Sequence, residues 1–179
     1  MRALDYDDLS NLVRWLTDEK VTYYLQQGDR PPTLQRLKEA YGVEGKNEKQ
    51  IPFAVVDKKS NKHIGWTGLF EINWIGRNAE MRIFVGEKNF WGKGVAYESQ
   101  KLLTEYGFDK LNLHRIYAGT SIECMGEQGA LKKLFFTKEG ISKEGAYRNG
   151  KYYDLIHFGL LENQYRRQVK EGKWKKLTS

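Results

Sequence analysis

The sequence has a single cysteine, Cys124, and three histidines in 179 residues. A lone thiol excludes an internal disulfide framework and fits a reducing cytosol, so a cytoplasmic protein is expected. The histidines and the cysteine show no metal-ligand spacing, and no metal is expected. No apolar run approaches the roughly 20 residues of a membrane helix, so no membrane partner is expected. The N-terminal stretch MRALDYDDLSNLV lacks a basic segment followed by an apolar one, which argues against a secretory signal. Two phosphate-binding signatures are also missing. The P-loop spacing G-x-x-x-x-G-K-[ST] is absent, and the dinucleotide fingerprint begun by Gly92 and Gly94 would need a glycine where Tyr97 stands. There is no internal repeat and no low-complexity tract.

What is present describes a packed globular chain. Hydrophobic residues make up 40% and aromatic residues 13%, enough for a core, and the length suits one domain spanning 1–179. The formal net charge is +7, and such a field favours anionic ligands. Part of the excess lies in the C-terminal segment 162–179, with Arg166, Arg167, Lys170, Lys173, Lys175 and Lys176. That tail reads as a solvated, partly frayed end; contact with nucleic acid, an acidic partner or a nucleotide is the weaker reading.

Along the chain, residues 7–26 carry Leu9, Leu12, Val13, Leu16 and Val21 at helical spacing, with Asp7 or Asp8 placed to cap. A loop with Pro31 and Pro32 leads to a second helix that Thr33 is placed to cap. Residues 51–85 read as three strands separated by the turns DKKSNKH and IGRN. Helices are expected at 95–109 and from Met125, a strand at LHRIYAGTSI, and a final hairpin turning at Asn149-Gly150. The order is an α/β mixture.

The most informative stretch is residues 78–108. EMRIFV alternates as a strand, GEKNFWGKG is a loop, and VAYESQKLLTEYGF begins a helix. Glycines at 92 and 94 let backbone N–H groups converge beside the positive end of the helix, a natural cradle for a phosphate or pyrophosphate. On these residues alone a tight strand-to-helix turn is an equal reading.

This order, with this loop, resembles the GNAT superfamily of acetyl-CoA-dependent N-acetyltransferases. Within it the chain is similar to the bacterial branch holding ribosomal-protein N-terminal and spermidine N-acetyltransferases. The segments that carry the resemblance are HIGWTGLFEINWIGRNAEMRIFV, WGKGVAYESQKLLTEYGFDKLNLHRIYA, KLFFTKEG and RNGKYYDLIHFGLL. The resemblance implies a mixed, mostly antiparallel twisted sheet of six to seven strands. About four helices would flank it, and it would splay between the fourth and fifth strands. Residues 1–50 would supply acceptor-side helices, and 51–161 the sheet and coenzyme A core. It implies that Trp91, Gly92, Lys93, Gly94, Val95 and Ala96 wrap the pyrophosphate of acetyl-CoA. Ile83, Phe84 and Val85 would pair through their backbone with the pantetheine arm as an added strand does.

The chain departs from the family pattern at several positions. The loop's first position, usually Arg or Gln, is Trp91. The Asn near the pantetheine is Cys124. The Tyr that protonates the leaving thiolate falls at Leu131, and the Ser used by the ribosomal-protein branch falls at Glu127. The glycine of K-L-G-F is Phe135.

Acetyl transfer to an amine needs a proton acceptor, since a lysine-like amine of pKa roughly 10 is mostly protonated at pH 7. Glu80, at the start of the fourth strand, is the first candidate base and Glu71 the second. The plainer reading of either is a strand-end carboxylate paired with Arg77, Arg82 or a lysine. An N–H from the Phe84–Val85 region would meet the oxyanion. Tyr97, Tyr106 and Tyr117 are weaker substitutes for the missing Tyr, and reading them as core is preferred. His114 and Asp154 read as structural, Asp154 bracing the last hairpin. The acceptor groove would draw on Tyr23, Tyr24 and Asp29, beside Asp18 and Glu19, able to hold an amine by charge and ring face. The expected acceptor is a small amine such as a nucleotide-linked amino sugar, or alternatively a protein N-terminus. A homodimer is admitted, and nucleic acid is not expected as a partner. The rival from another class is a degenerate acetyl-CoA-binding sensor or scaffold.

Overall fold

The computed structural model describes residues 1–25, 32–41 and 48–176. Among them the chain runs β1 (Arg2–Ala3), a single 3-10 turn (Tyr6–Asp8), α1 (Leu9–Leu16), α2 (Glu19–Thr22), α3 (Leu34–Tyr41), β2 (Ile51–Val56), β3 (His63–Asn73) and β4 (Asn78–Val85). It continues through a second 3-10 turn (Lys88–Phe90), α4 (Val95–Asp109), β5 (Arg115–Ser121), α5 (Met125–Lys133), β6 (Thr137–Arg148), β7 (Lys151–Leu161) and α6 (Glu162–Lys170). The seven strands form one sheet in the order β1-β2-β3-β4-β5-β7-β6. All neighbours are antiparallel except β4 and β5.

β2 to β5 and β7 fall where alternation placed them, β6 begins earlier than expected, at Thr137, and β1 was not expected; Asn149-Gly150 makes the β6–β7 turn, with both residues at positive φ. Six helices replace the expected four, for two local reasons. The helix expected over 7–26 breaks because the Thr17 hydroxyl bonds back to the carbonyls of Val13 and Arg14, while the Asp18 carboxylate caps a new helix by accepting from the Lys20 amide. Neither Asp7 nor Asp8 caps α1 through its side chain. Asp5 caps the preceding turn, and Asp8 accepts instead from Arg2 and the Asp5 amide.

The sixth helix corrects the reading of the tail. Residues 162–176 are docked: Tyr165 is fully buried and stacks on Phe108, and Trp174 packs edge-on against Tyr165 and donates to Glu105. Asp109, at the end of α4, receives Arg166, Lys176 and the Tyr165 hydroxyl. The charges mask an apolar stripe of Tyr165, Val169 and Trp174.

Two cores divide the sheet. One lies between the sheet and α4, α5 and α6, with Leu69, Met81, Leu103, Ile116, Leu131 and Phe158. The other covers the opposite face of β2, β3 and β4 with α1 and α3, built on Leu9, Leu12, Trp15, Trp66 and Phe84. That second core stops at β4.

Candidate active site

β4 and β5 pair over only three positions, Asn78–Arg115, Ala79–Ile116 and Glu80–Tyr117, although each strand runs further. Beyond Glu80 and Tyr117 the two strands part. The splay expected between the fourth and fifth strands is present at that point.

Backbone alternation decides which β4 residues address the gap. Gly86 donates to Ile64 on β3, whereas the Arg77 carbonyl accepts from His114 and Arg115 on the β5 side. Even positions of β4 therefore turn toward β3, and odd ones toward β5. Ile83 and Val85 present their amide and carbonyl groups to the gap. Phe84 does not: its backbone faces β3 and its ring is buried against Trp15 and Trp66. That corrects its expected place on the pantetheine. Val85 is also partly engaged, because the Trp91 indole donates to its carbonyl at 2.7 Å. Trp91 thus takes one of the acceptors expected for the donor.

From the end of β4 the chain enters the glycine turn. Gly92 and Gly94 sit at φ 72° and 80°, a left-handed conformation that side chains resist, and a Cβ on either would meet nothing within 4 Å. The turn is open around both glycines. Trp91 and Lys93 direct their amides back to the carbonyls of Lys88 and Phe90, which removes them from the expected cradle. The amides of Val95, Ala96 and Tyr97 begin α4 and have no partner within the helix. Lys93 lies with its ammonium 5.6 Å from the Phe90 ring centre. The turn, the first turn of α4 and the open end of the β4–β5 gap share one end of the sheet. These residues fit a pyrophosphate followed by an extended amide arm. Among the described residues, no group of three or more His, Cys, Asp or Glu is placed to hold a metal.

Of the two candidate bases, Glu80 stands at the point of parting, on the face away from α4. Its carboxylate accepts from Arg82 Nε at 2.9 Å, so the plainer reading of an arginine-paired acid also holds. Glu71 is more peripheral: it sits at a bulge of β3 with φ 49°, its side chain exposed and 3.9 Å from Arg82. Tyr117 faces the same side as Glu80. Burial, then the charges of Glu80 and Glu71, push its phenol above the ordinary range. Tyr97 and Tyr106 are packed against the core. Asp154 braces the β6–β7 hairpin by accepting from Lys143 and the Glu144 amide. The His114 imidazole is exposed, and its structural part is played by its backbone, which links Arg77 and Glu162.

Asp29 lies outside the described residues. Tyr23 and Tyr24 stand at the end of α2, exposed, and an arginine already lies over one face of each ring. The Arg148 guanidinium lies 4.2 Å from the Tyr23 and Tyr153 ring centres and 5.5 Å from that of Tyr24. Its Nη2 donates to Glu123 at 3.2 Å, and its Nε is buried without a partner. Cys124 is the residue before α5, half-buried, its thiol pushed up by burial. Glu127, one turn on, accepts from the buried Gln100 amide of α4, and burial pushes its carboxyl up to about 7. Leu131 is fully buried in the core and offers no acid.

The family model for an acetyltransferase (GNAT) domain matches residues 1–137. The chain belongs to the GNAT family. Its activity is acetyl-CoA-dependent N-acetyl transfer, with acetyl-CoA as the acyl donor. It is 28% identical over 165 residues to the spermidine N(1)-acetyltransferase of Vibrio cholerae, covering 92% of this chain and 94% of that protein. A crystal structure of the Vibrio cholerae spermidine N-acetyltransferase with CoA and spermine superposes with a TM-score of 0.83 at 28% identity, covering 92% of this chain and 96% of that one. The probable N-acetyltransferase YjcK of Bacillus subtilis is 32% identical over 135 residues, 74% of this chain and 70% of its own. The putative ribosomal N-acetyltransferase YdaF of the same organism is 27% identical over 101 residues, 56% of this chain and 55% of its own.

Proposed function

We propose that this GNAT enzyme acetylates the primary amine of a small molecule that also carries an anionic group, a nucleotide-linked amino sugar being one such acceptor. The carrying observation is the pairing of acids with arginines around the β4–β5 gap and the β6–β7 hairpin. Glu71 and Glu80 lie beside Arg82, Glu123 beside Arg148 and Glu139 beside Arg115. A polycation needs unpaired carboxylates; a zwitterionic acceptor matches alternating acid and arginine, and the net charge of +7 attracts its anionic part. In this reading Glu80 takes the surplus amine proton, directly or through water, and the Val85 N–H meets the oxyanion.

A polyamine acceptor is the second reading. It is favoured by the 28% identical Vibrio cholerae relative, whose structure holds CoA and spermine. The test begins with calorimetric titration of acetyl-CoA and desacetyl coenzyme A. A panel scored by thiol release follows: a nucleotide-linked amino sugar, spermidine, a simple alkylamine and a peptide α-amine. If the amino sugar is acetylated no faster than the alkylamine, the zwitterion reading is dropped. Faster turnover of spermidine establishes the second reading.

A further inference from the structure

Two glycines lie on the face of β5 and β7 turned away from the helices, and they differ in what fills the space above them. Ile116 and Ala118 of β5 and Ile156, Phe158 and Leu160 of β7 point into the core. Alternation therefore turns Tyr117, Gly119, His157 and Gly159 to the other face, which carries no core here among the described residues. Gly159 pairs with Tyr117 and Gly119 with His157. Above Gly159 the space is taken by the Glu139–Arg115 ion pair. Above Gly119, which is exposed, it is open. A Cβ there would lie 3.5 Å from His157 Nδ1 and 3.7 Å from His157 Cε1, and no other atom outside its chain neighbours would come within 4 Å.

That opening borders the β4–β5 gap. Glu80 and Tyr117 are the last pair before the strands part. Gly119 is two residues further along β5, about 6.6 Å on, and on the same face as both. The imidazole beside it is half-buried and held from its far side, where His157 Nε2 and the Ser142 hydroxyl of β6 share a hydrogen bond at 2.8 Å. Nδ1 has no hydrogen-bond partner among the described residues. A serine hydroxyl either donates or accepts, so the ring can offer Nδ1 in the complementary role. The edge over Gly119 is thus fixed in place and adaptable in polarity. A hydroxyl, which also donates and accepts, matches such an edge; the second ammonium of a polyamine only donates and brings a charge.

We propose that His157 is a specificity-determining residue of the acceptor site, and that the space over Gly119 takes a hydroxyl carried close to the reacting amine. The acceptor class is then the amino alcohols, of which amino sugars are the cyclic members. The inference rests on the reading that the acceptor amine meets Glu80 on this face. With the amine at Glu80, the neighbouring hydroxyl reaches across β5 to Nδ1, and the bare backbone of Gly119 leaves room for it. Ser142 acts through His157 as a positioning residue.

The test uses two amines that differ by one hydroxyl, trans-2-aminocyclohexanol and cyclohexylamine. The ratio of their kcat/KM values is measured in wild type, His157→Phe and Gly119→Ala. Phenylalanine keeps a ring and removes both nitrogens. Alanine sets a methyl group into the opening at ordinary contact distance from the imidazole, on a backbone that does not have positive φ, so the fold is kept. The two amines differ in basicity, but that difference cancels when the ratio is compared between proteins. Both variants are expected to lower the ratio about 3- to 10-fold, the worth of one hydrogen bond, through KM of the amino alcohol. An unchanged ratio overturns the proposal, and so does an equal loss for both amines, which would mark His157 as structural. Neither probe is anionic, so the result is independent of the anionic part of the acceptor, which the panel above decides. If neither amine is turned over, the ratio is taken from calorimetric affinities for the coenzyme A complex under the same criteria, and no binding of either overturns the proposal.

Discussion

Glu80 and Arg82 form a pair on one edge of the gap, and their separation by two residues along β4 is what brings them together on one face. Replacing Glu80 by Gln keeps the shape and the contact with Arg82 but removes the proposed base; kcat is expected to fall about 10²-fold with acetyl-CoA affinity unchanged. A protein that only senses acetyl-CoA would show no turnover in either form. Trp91 offers a second residue-level test, since its indole N–H holds the Val85 carbonyl that a pantetheine amide would use. Trp91→Phe keeps the ring and removes the competing donor. Acetyl-CoA is expected to bind about 2- to 5-fold tighter, the equivalent of up to about 1 kcal/mol for one neutral hydrogen bond. Unchanged or weaker affinity by calorimetry would show that the indole does not compete. Glu87 couples α1 to the end of β4 through Lys62, Arg14 and the Trp15 indole, and these partners hold its carboxyl down at about 2. A depressed carboxylate contributes stability above its unfolded pKa of roughly 4.3, and loses it as pH falls toward its folded value. Glu87→Gln should cost about 1–2 kcal/mol at pH 7, and its urea midpoint should fall less than that of wild type between pH 4.5 and 2.

At the scale of elements, the strands β2 to β5, the helices α4 and α5 and the final hairpin were legible in the sequence because periodicity and turn residues are local signals. The glycine turn was legible for the same reason. Three features were not. The two-residue β1 carries no pattern of its own. The break between α1 and α2 depends on the Thr17 hydroxyl finding its own helix carbonyls. The docking of α6 was hidden because six basic residues surround the three apolar ones that decide it. The same limit applies to the site. The Arg148 stack joins α2 to the β6–β7 hairpin across 125 positions of sequence, and the upward push on the Glu127 carboxyl comes from burial that only tertiary packing creates. Docking of the C-terminal segment gives its own prediction: Trp174→Ala, which deletes a side chain only 4% exposed, should cost about 3–5 kcal/mol by urea denaturation. A loss under 1 kcal/mol would mean the segment is loosely held.

At the scale of the whole molecule, one leaf of the sheet contains β1 to β4, with a core on each face. The other contains β5, β7 and β6 and, among the described residues, carries a core on one face only. Donor binding should raise the unfolding free energy by about 2.7 kcal/mol at a free concentration 100 times the dissociation constant. A melting temperature indifferent to acetyl-CoA would contradict binding between the leaves. Three residue pairs are all that the backbone ladder supplies where the leaves meet. Mechanically, that seam is a hinge with a short pin, and most of the torque between the leaves must pass through α4 and its packing. A molecule threaded along the open side acts as a splint, lengthening the seam without any change in covalent structure. Stretched from β1 and β6, at the two ends of the strand order, the empty protein should yield first at this seam, and at a higher force once the splint is in place.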